Sequence, residues 1–162
     1  MVKINKKVEY ALIILGYLLR KGKGAEEKNA SLVCAKEVCD RFELSFDVAS
    51  KVMQILAQHG VLRSVKGAHG GYALEKSPDE ITLFELNHMI VGPIAVANCL
   101  HEDGECELAG SCNIIAPMMN LNERIEELYR EIRLADLLSD KSRSRFENGE
   151  KALRDKQLLL RT

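Results

Sequence analysis

The sequence predicts a mainly α fold with one small β-hairpin and a long C-terminal helix. Three observations predict it. Apolar residues recur at helical spacing in several separate segments, one pair of short alternating runs flanks a Gly-rich turn, and a heptad pattern runs from Met118 to Ala135.

A chain of 162 residues has room for one main domain with a real core plus an appendage, and is too short for two full enzyme domains. At 46% hydrophobic and 29% charged it has an ordinary soluble globular composition. No apolar run reaches the roughly 18 residues that a membrane span requires. The N-terminus, with Lys3, Lys6 and Lys7 interrupted by Asn and Glu, lacks the apolar core of a signal peptide. A cytoplasmic protein with no membrane partner is therefore expected. In a reducing compartment five cysteines, an odd number, read as core thiols, metal ligands or redox groups and not as a disulfide framework.

The net charge of -1 hides a segregation by region. Residues 1–21 hold five Lys or Arg against one Glu, a local balance of +4, while residues 101–112 hold Glu102, Asp103, Glu105 and Glu107 and no Lys or Arg. A near-neutral total does not exclude a nucleic-acid partner, because phosphate contact depends on local basic surface.

The elements follow in order. Val8, Leu12, Leu15, Leu18 and Leu19 place a first amphipathic helix over residues 5–20, ended by Gly22 and Gly24. The loop "GKGAEEKNAS" is polar and is expected to be flexible. A second short helix carries Leu32, Ala35, Val38, Cys39 and Phe42 inward, and Cys39 reads as a small core hydrophobe, with Cys34 read the same way. Ser45 then caps a third helix reaching to about His59, with Val48, Val52, Ile55 and Leu56 on one face. The opposite stripe is Asp47, Ser50, Lys51, Gln54 and Gln58. Short hydroxyls, amides and an ammonium on one face suit a DNA recognition helix, since Gln bonds adenine edges and Lys reaches guanine or phosphate; a plain solvated face is the competing reading.

"VLRSV", the Gly-rich turn "KGAHGG" and the returning "YAL" make a hairpin directly after that helix pair. Helix, turn, helix and hairpin is a winged helix-turn-helix, with Lys66 and His69 at the wing tip where they can touch phosphate or the minor groove. Thr82 and Glu85 form a T-x-x-E capping box that opens another helix, which Gly92 and Pro93 break. A loop of about two dozen residues follows, holding Cys99, Cys106 and Cys112, and a loop that long inside a domain is functional or disordered. The heptad seam of Met118, Leu121, Ile125, Leu128, Ile132 and Ala135 then predicts a helix that pairs with a second copy in a two-fold homodimer, packing on its own domain being the competing reading. The expected organisation is residues 1–91 as a winged helix-turn-helix domain, 92–117 as a cysteine-containing sensor loop, 118–138 as a dimerisation helix, and 139–162 as a charged, mobile tail.

"EYALIIL", "LSFDVASKVMQILAQHGVLRSVKGAHGGYAL", the three-cysteine loop and the closing "RLADLL" together resemble the Rrf2 family, the IscR-like and NsrR-like bacterial transcription regulators. The resemblance covers roughly residues 1–138. It implies a homodimer that binds double-stranded promoter DNA, and in members with three cysteines an iron-sulfur cluster that tunes that binding. The residue chemistry agrees: such clusters take four ligands, chiefly thiolates, and C-x6-C-x5-C leaves one position for something else. These spacings are longer than the C-x2-C knuckles of structural zinc. A cluster-free thiol redox switch stays open beside the cluster, as does, with less support from the spacing, zinc or another metal. Whether the cluster is 2Fe-2S or 4Fe-4S is not legible in the sequence.

For the fourth ligand, relatives resembling IscR supply a His three residues past the last cysteine, where this chain has Ile115. Relatives resembling NsrR draw an acidic residue from the first helix of the other subunit, and the matching position is Glu9. His101 is a second candidate. The DNA-contacting set expected is Ser45, Asp47, Ser50, Lys51, Gln54, Lys66 and His69, with Lys3 and Lys6 at the backbone. Relatives can present a larger acidic side chain at the position of Ser50. No Ser, His and Asp constellation, phosphate loop or acid and base pair stands out, so neither an enzyme nor a small-molecule substrate is expected. A small iron-sulfur electron carrier is the remaining alternative.

Overall fold

The computed structural model describes residues 4–22, 32–67, 70–101, 104, 106–108 and 110–139. The polar loop after the first helix and all but the first residue of the C-terminal tail, both expected to be mobile, lie outside the described residues.

Helix α1 (Lys6–Gly22) opens the fold. The side-chain oxygen of Asn5 accepts the Lys7 backbone N–H at 2.9 Å, which satisfies one of the donors that a helix start leaves unpaired. Val8, Ala11, Ile14, Leu15 and Leu18 form its buried stripe. Helix α2 (Ala35–Phe42) begins later than the sequence suggested, with Leu32 ahead of it. The reason is Val33, which is drawn into an antiparallel bridge with Tyr72; each donates its N–H to the other's carbonyl at 2.9 Å. A β-branched residue suits that extended pairing.

The chain turns into helix α3 (Phe46–Gln58) through Glu43, a non-glycine residue at φ 54°. Ser45 occupies the N-cap position, but its side chain makes no capping bond; its backbone N–H donates to the Tyr10 hydroxyl at 3.3 Å instead. Strands β1 (Leu62–Val65) and β2 (Gly71–Leu74) pair antiparallel with Leu62 opposite Leu74 and Val65 opposite Gly71. Glycine is needed here for closeness of approach: a Cβ on Gly70 would stand 2.3 Å from the Val65 carbonyl oxygen, and one on Gly71 2.9 Å from that of Val33.

Two capping boxes follow in succession, Ser77 with Glu80 and then Thr82 with Glu85. The second starts helix α4 (Leu83–Ile90) as the sequence predicts, with Thr82 Oγ1 accepting the Glu85 N–H at 3.1 Å and Glu85 Oε2 accepting the Thr82 N–H at 2.7 Å.

The heptad seam is helical only to Glu131. Helix α5 (Ile115–Glu131) stops there, and a separate short helix α6 (Leu134–Leu138) follows. Between them the backbone is extended, because Ile132 O accepts the Leu83 N–H and Leu134 N–H donates to Ile81 O, each at 2.9 Å. Thr82 and Arg133 form the bridge, and Leu134 is fully buried in the core cluster, with α6 packed against α1. No helix among the described residues is long and apolar enough to cross a membrane.

The Thr82 N–H holds the Glu85 carboxyl below the ordinary carboxylate range; burial opposes this, and the Thr82 hydroxyl, Arg133 and Lys76 reinforce it. A carboxyl depressed in the folded state contributes stability above its unfolded value of about 4.3, and that contribution is lost as pH falls through the lower folded value. Thermal melts from pH 7 down to the acid limb should therefore show Glu85→Gln with a shallower loss of stability below about pH 4.3 than the parent chain. Thr82→Ala, which removes the cap itself, should cost about 1 kcal/mol at neutral pH.

Candidate functional site

Helices α2 and α3 are set against α1 by two devices. Glu37 of α2 accepts the Tyr17 hydroxyl at 2.6 Å and is also bonded by Lys21. Burial alone would raise the Glu37 carboxyl, but the Lys21 and Tyr17 hydrogen bonds together outweigh it and hold it below its ordinary value. On the other side Ala49, Val52, Met53 and Leu56 bury one face of α3 in the core. That leaves Asp47, Lys51, Gln54 and Gln58 as one exposed stripe, with Ser45 exposed at its start.

Ser50 departs from the stripe. Its hydroxyl oxygen is buried and has no hydrogen-bonding partner among the described residues, so it does not face outward as the sequence spacing implied. Phe46, which the sequence reading passed over, is instead largely exposed at the first position of α3. By spacing it lies in line with Ala49, Met53 and Leu56, so the sequence alone would turn it inward, yet it sits on the first turn and stays exposed. Lys66 is exposed just past β1, and Lys6 is exposed at the first position of α1. His69 and Lys3 lie outside the described residues.

The cysteine segment leaves α4 through Gly92, whose carbonyl accepts the Asn87 side-chain amide at 3.0 Å. It then passes along α5, where Asn122 bonds the backbone at Ile94 and Val96. A 3-10 turn (Asn98–Leu100) carries Cys99. Gly104 is pressed onto that turn, since a Cβ there would stand 1.9 Å from the Asn98 carbonyl oxygen. Cys106 follows, and Cys112 lies two residues before Ile114, the N-cap of α5. All three thiols are free and half-buried.

The donor types fit an iron-sulfur cluster, three soft thiolates on one short loop. Among the described residues of the single chain, no group of three or more His, Cys, Asp or Glu side chains is gathered as a metal site. Glu9 is exposed on the first turn of α1, and Ile115 is the apolar first residue of α5. His101 is exposed and lines a cavity of about 420 Å³ with Asn5 from ahead of α1, Asn87 of α4, and Met118, Ile125 and Tyr129 of α5. The other two cysteines divide. Cys39 is buried in the core, and burial, then Asp40, pushes its thiol up; Cys34, given the same core reading, is exposed at the N-cap of α2.

A helix-turn-helix followed by a two-stranded wing is a DNA-binding architecture, and here it carries a three-thiol loop and an outlying helix. Residues 4–140 match the Rrf2 family, described as iron-dependent transcriptional regulators, and the chain belongs to that family. It is 28% identical over 145 residues to the transcriptional regulator NsrR of Geobacillus kaustophilus, covering 87% of this chain and 92% of that one. It is 26% identical over 140 residues to IscR of Sodalis glossinidius, covering 86% and 80%. Among solved structures, CymR, the global cysteine regulator of B. subtilis, superposes with a TM-score of 0.61 at 26% identity over 85% of this chain and 97% of that one. IscR of T. potens shares the fold at a TM-score of 0.62 and 22% identity, over 86% and 88%.

Two outcomes follow from the loop and the helix. Removing a buried hydroxyl that lacks a partner should stabilise, so Ser50→Ala is expected to raise stability by about 1 kcal/mol in denaturant titration. Gly104→Ala must push the loop off the Asn98 carbonyl. Its effect should be confined there, with Cys99 and Cys106 alkylated faster while the unfolding free energy changes by less than about 1 kcal/mol.

Proposed function

We propose that this chain regulates transcription by binding promoter DNA as a two-fold homodimer, with the chemical state of Cys99, Cys106 and Cys112 setting the affinity. One observation carries the reading. The three free thiols lie on a single loop between α4, which is built into the winged core, and α5, which presents an apolar ridge to solvent. Ile114, Leu121 and Leu128, spaced by seven residues, are 55%, 45% and 53% exposed along that ridge. One helix cannot bury such a ridge on itself, and a second copy of it can. A change in the loop would then shift the two winged domains against each other, and a coupling of about 1 to 3 kcal/mol, roughly 5- to 150-fold in affinity, is enough for a switch.

On DNA, Gln54 supplies base contacts in the major groove and Lys51 reaches guanine or phosphate, with Ser45 and Asp47 at the entering end of the helix. Lys66 and His69 of the wing and Lys3 and Lys6 of the N-terminus meet the backbone. Ser50, its hydroxyl buried, is left out of the base-contacting set.

Cys99, Cys106 and Cys112 would hold an iron-sulfur cluster with Glu9 of a second copy as fourth ligand, and such a group supplies an iron site sensitive to nitric oxide, redox state or cluster supply. Three free, half-buried thiols on one loop also support a second reading, a cluster-free switch in which the thiols themselves are oxidised.

Anaerobic purification followed by a visible spectrum and iron and sulfide analysis separates the two. The cluster reading expects colour, iron and sulfide, all lost in Cys106→Ser. Colourless protein whose affinity for a selected duplex changes on thiol oxidation supports the switch, and unchanged affinity in every state defeats both. Lys51→Ala should weaken binding and lower the salt slope by about one unit.

A further inference from the structure

Asn122 is a half-buried amide on α5 with each of its polar atoms engaged. Its side-chain oxygen accepts the Val96 N–H at 3.0 Å, and its NH2 donates to Ile94 O at 3.1 Å and to Glu126 Oε1 at 3.1 Å. One side chain thus takes both a backbone donor and a backbone acceptor from residues two apart, as a neighbouring strand would. Among the described residues no other side-chain hydrogen bond joins α5 to the segment between Gly92 and Cys112.

The position of this clamp matters because of what comes next in the chain. Val96 is three residues before Cys99, and the intervening backbone is already closed by Leu100 N–H on Ala97 O at 3.0 Å and His101 N–H on Asn98 O at 3.2 Å. The turn carrying Cys99 is therefore continuous with the clamped segment. At its other end the loop runs covalently into α5 just past Cys112. Both ends refer to the same helix, one by chain connectivity and one by the Asn122 amide.

The clamp also has a second attachment. Glu126 accepts from Arg130 at 2.9 Å, and the Arg130 guanidinium lies 3.8 Å from the ring centroid of Phe84 in α4. Asn122, Glu126 and Arg130 are spaced by four residues and form one row along α5. The row ends on the helix that packs into the winged core.

We propose that Asn122 is a positioning residue that fixes Cys99 relative to α5 and, through Glu126 and Arg130, ties that placement to Phe84 of α4. It rests on the reading of the cysteine loop as the sensor. Displacing Cys99 strains the clamp, and the row carries the displacement to α4. Cys112 is placed by the start of α5, and Cys34 and Cys39 by α2, so these three are indifferent to the clamp.

The test uses the full-length chain, reduced and chelator-treated, with iodoacetamide as probe and peptide mass spectrometry to follow each cysteine. In Asn122→Ala the Cys99 rate should rise about tenfold while Cys112 and the exposed Cys34 change by less than about twofold and Cys39 stays protected. Asn122→Asp keeps the acceptor for Val96 but loses both donors, and should fall between the parent and the alanine variant. Glu123→Ala, on an exposed position of the same helix, should match the parent.

A Cys99 rate unchanged in Asn122→Ala overturns the proposal. So does equal acceleration of every cysteine including Cys39, which marks general loosening and no positioning. The sensor reading is judged separately: a duplex selected from a random library by the parent chain is bound before and after Cys99 alkylation. Equal affinity sinks that reading and leaves the clamp standing on its rates.

Discussion

The two-bond pairing of residues 81–83 with residues 132–134 is the constraint on which the rest of the C-terminal half depends. Leu83 N–H to Ile132 O and Leu134 N–H to Ile81 O fix the chain just where α5 ends, and Leu134 fills the core beneath them. With that end anchored, α5 must lie beside α4, which puts Arg130 on the Phe84 ring and Asn122 against the segment that leads to Cys99. A straight helix through residues 118–138 would carry Leu134 away from the domain and give up a fully buried leucine, a loss worth about 2 to 5 kcal/mol in comparable core truncations. Burial therefore outweighs the small gain of a few more helical residues. Gly16 of α1 makes room for the last piece, since a Cβ there would stand 3.3 Å from Leu138.

The winged half is held by different means. Its helices are oriented by polar contacts at their ends, Tyr10 on the Ser45 N–H, and Tyr17 with Lys21 on Glu37, while apolar burial between α1 and α3 supplies the cohesion. Turning through Glu43 in the left-handed region costs an L residue about 1 kcal/mol, and the surrounding packing meets it. The outcome is a helix whose inner face is fully committed and whose outer stripe of Asp47, Lys51, Gln54 and Gln58 makes no contribution to the core. A surface free of structural duty is what a recognition helix requires.

Much of this was legible in the chain because the signals are local. Helical spacing places α1, α3 and α4 close to their observed bounds, and the Thr82 and Glu85 box marks its helix start to the residue. The Ser77 and Glu80 box has the same local pattern and opens a 3-10 turn (Pro78–Glu80) between the hairpin and α4. The elements that were not legible depend on partners far off in sequence. Val33 is taken from the second helix by Tyr72, thirty-nine positions on, and Ser45 is held by Tyr10 and makes no cap bond through its own hydroxyl. Cys34 and Cys39 read alike as sequence, yet one is exposed at a helix cap and the other is buried. Asn122 carries no pattern of its own, because a lone amide in a charged helix announces nothing until a loop is laid against it.

By itself the sequence determined the order of elements, the wing, the three-thiol loop and the family, since propensity, capping, turn residues and spacing act over a few neighbouring residues. Only the tertiary structure decided where α5 stops, that the Ser50 hydroxyl is buried, and how the Cys99 end of the loop is tied to α5. The physical reason is the same in each case. A buried leucine, a buried hydroxyl and a pair of backbone groups all gain or lose free energy through atoms that are distant in the chain, and their proximity exists only once the core has formed.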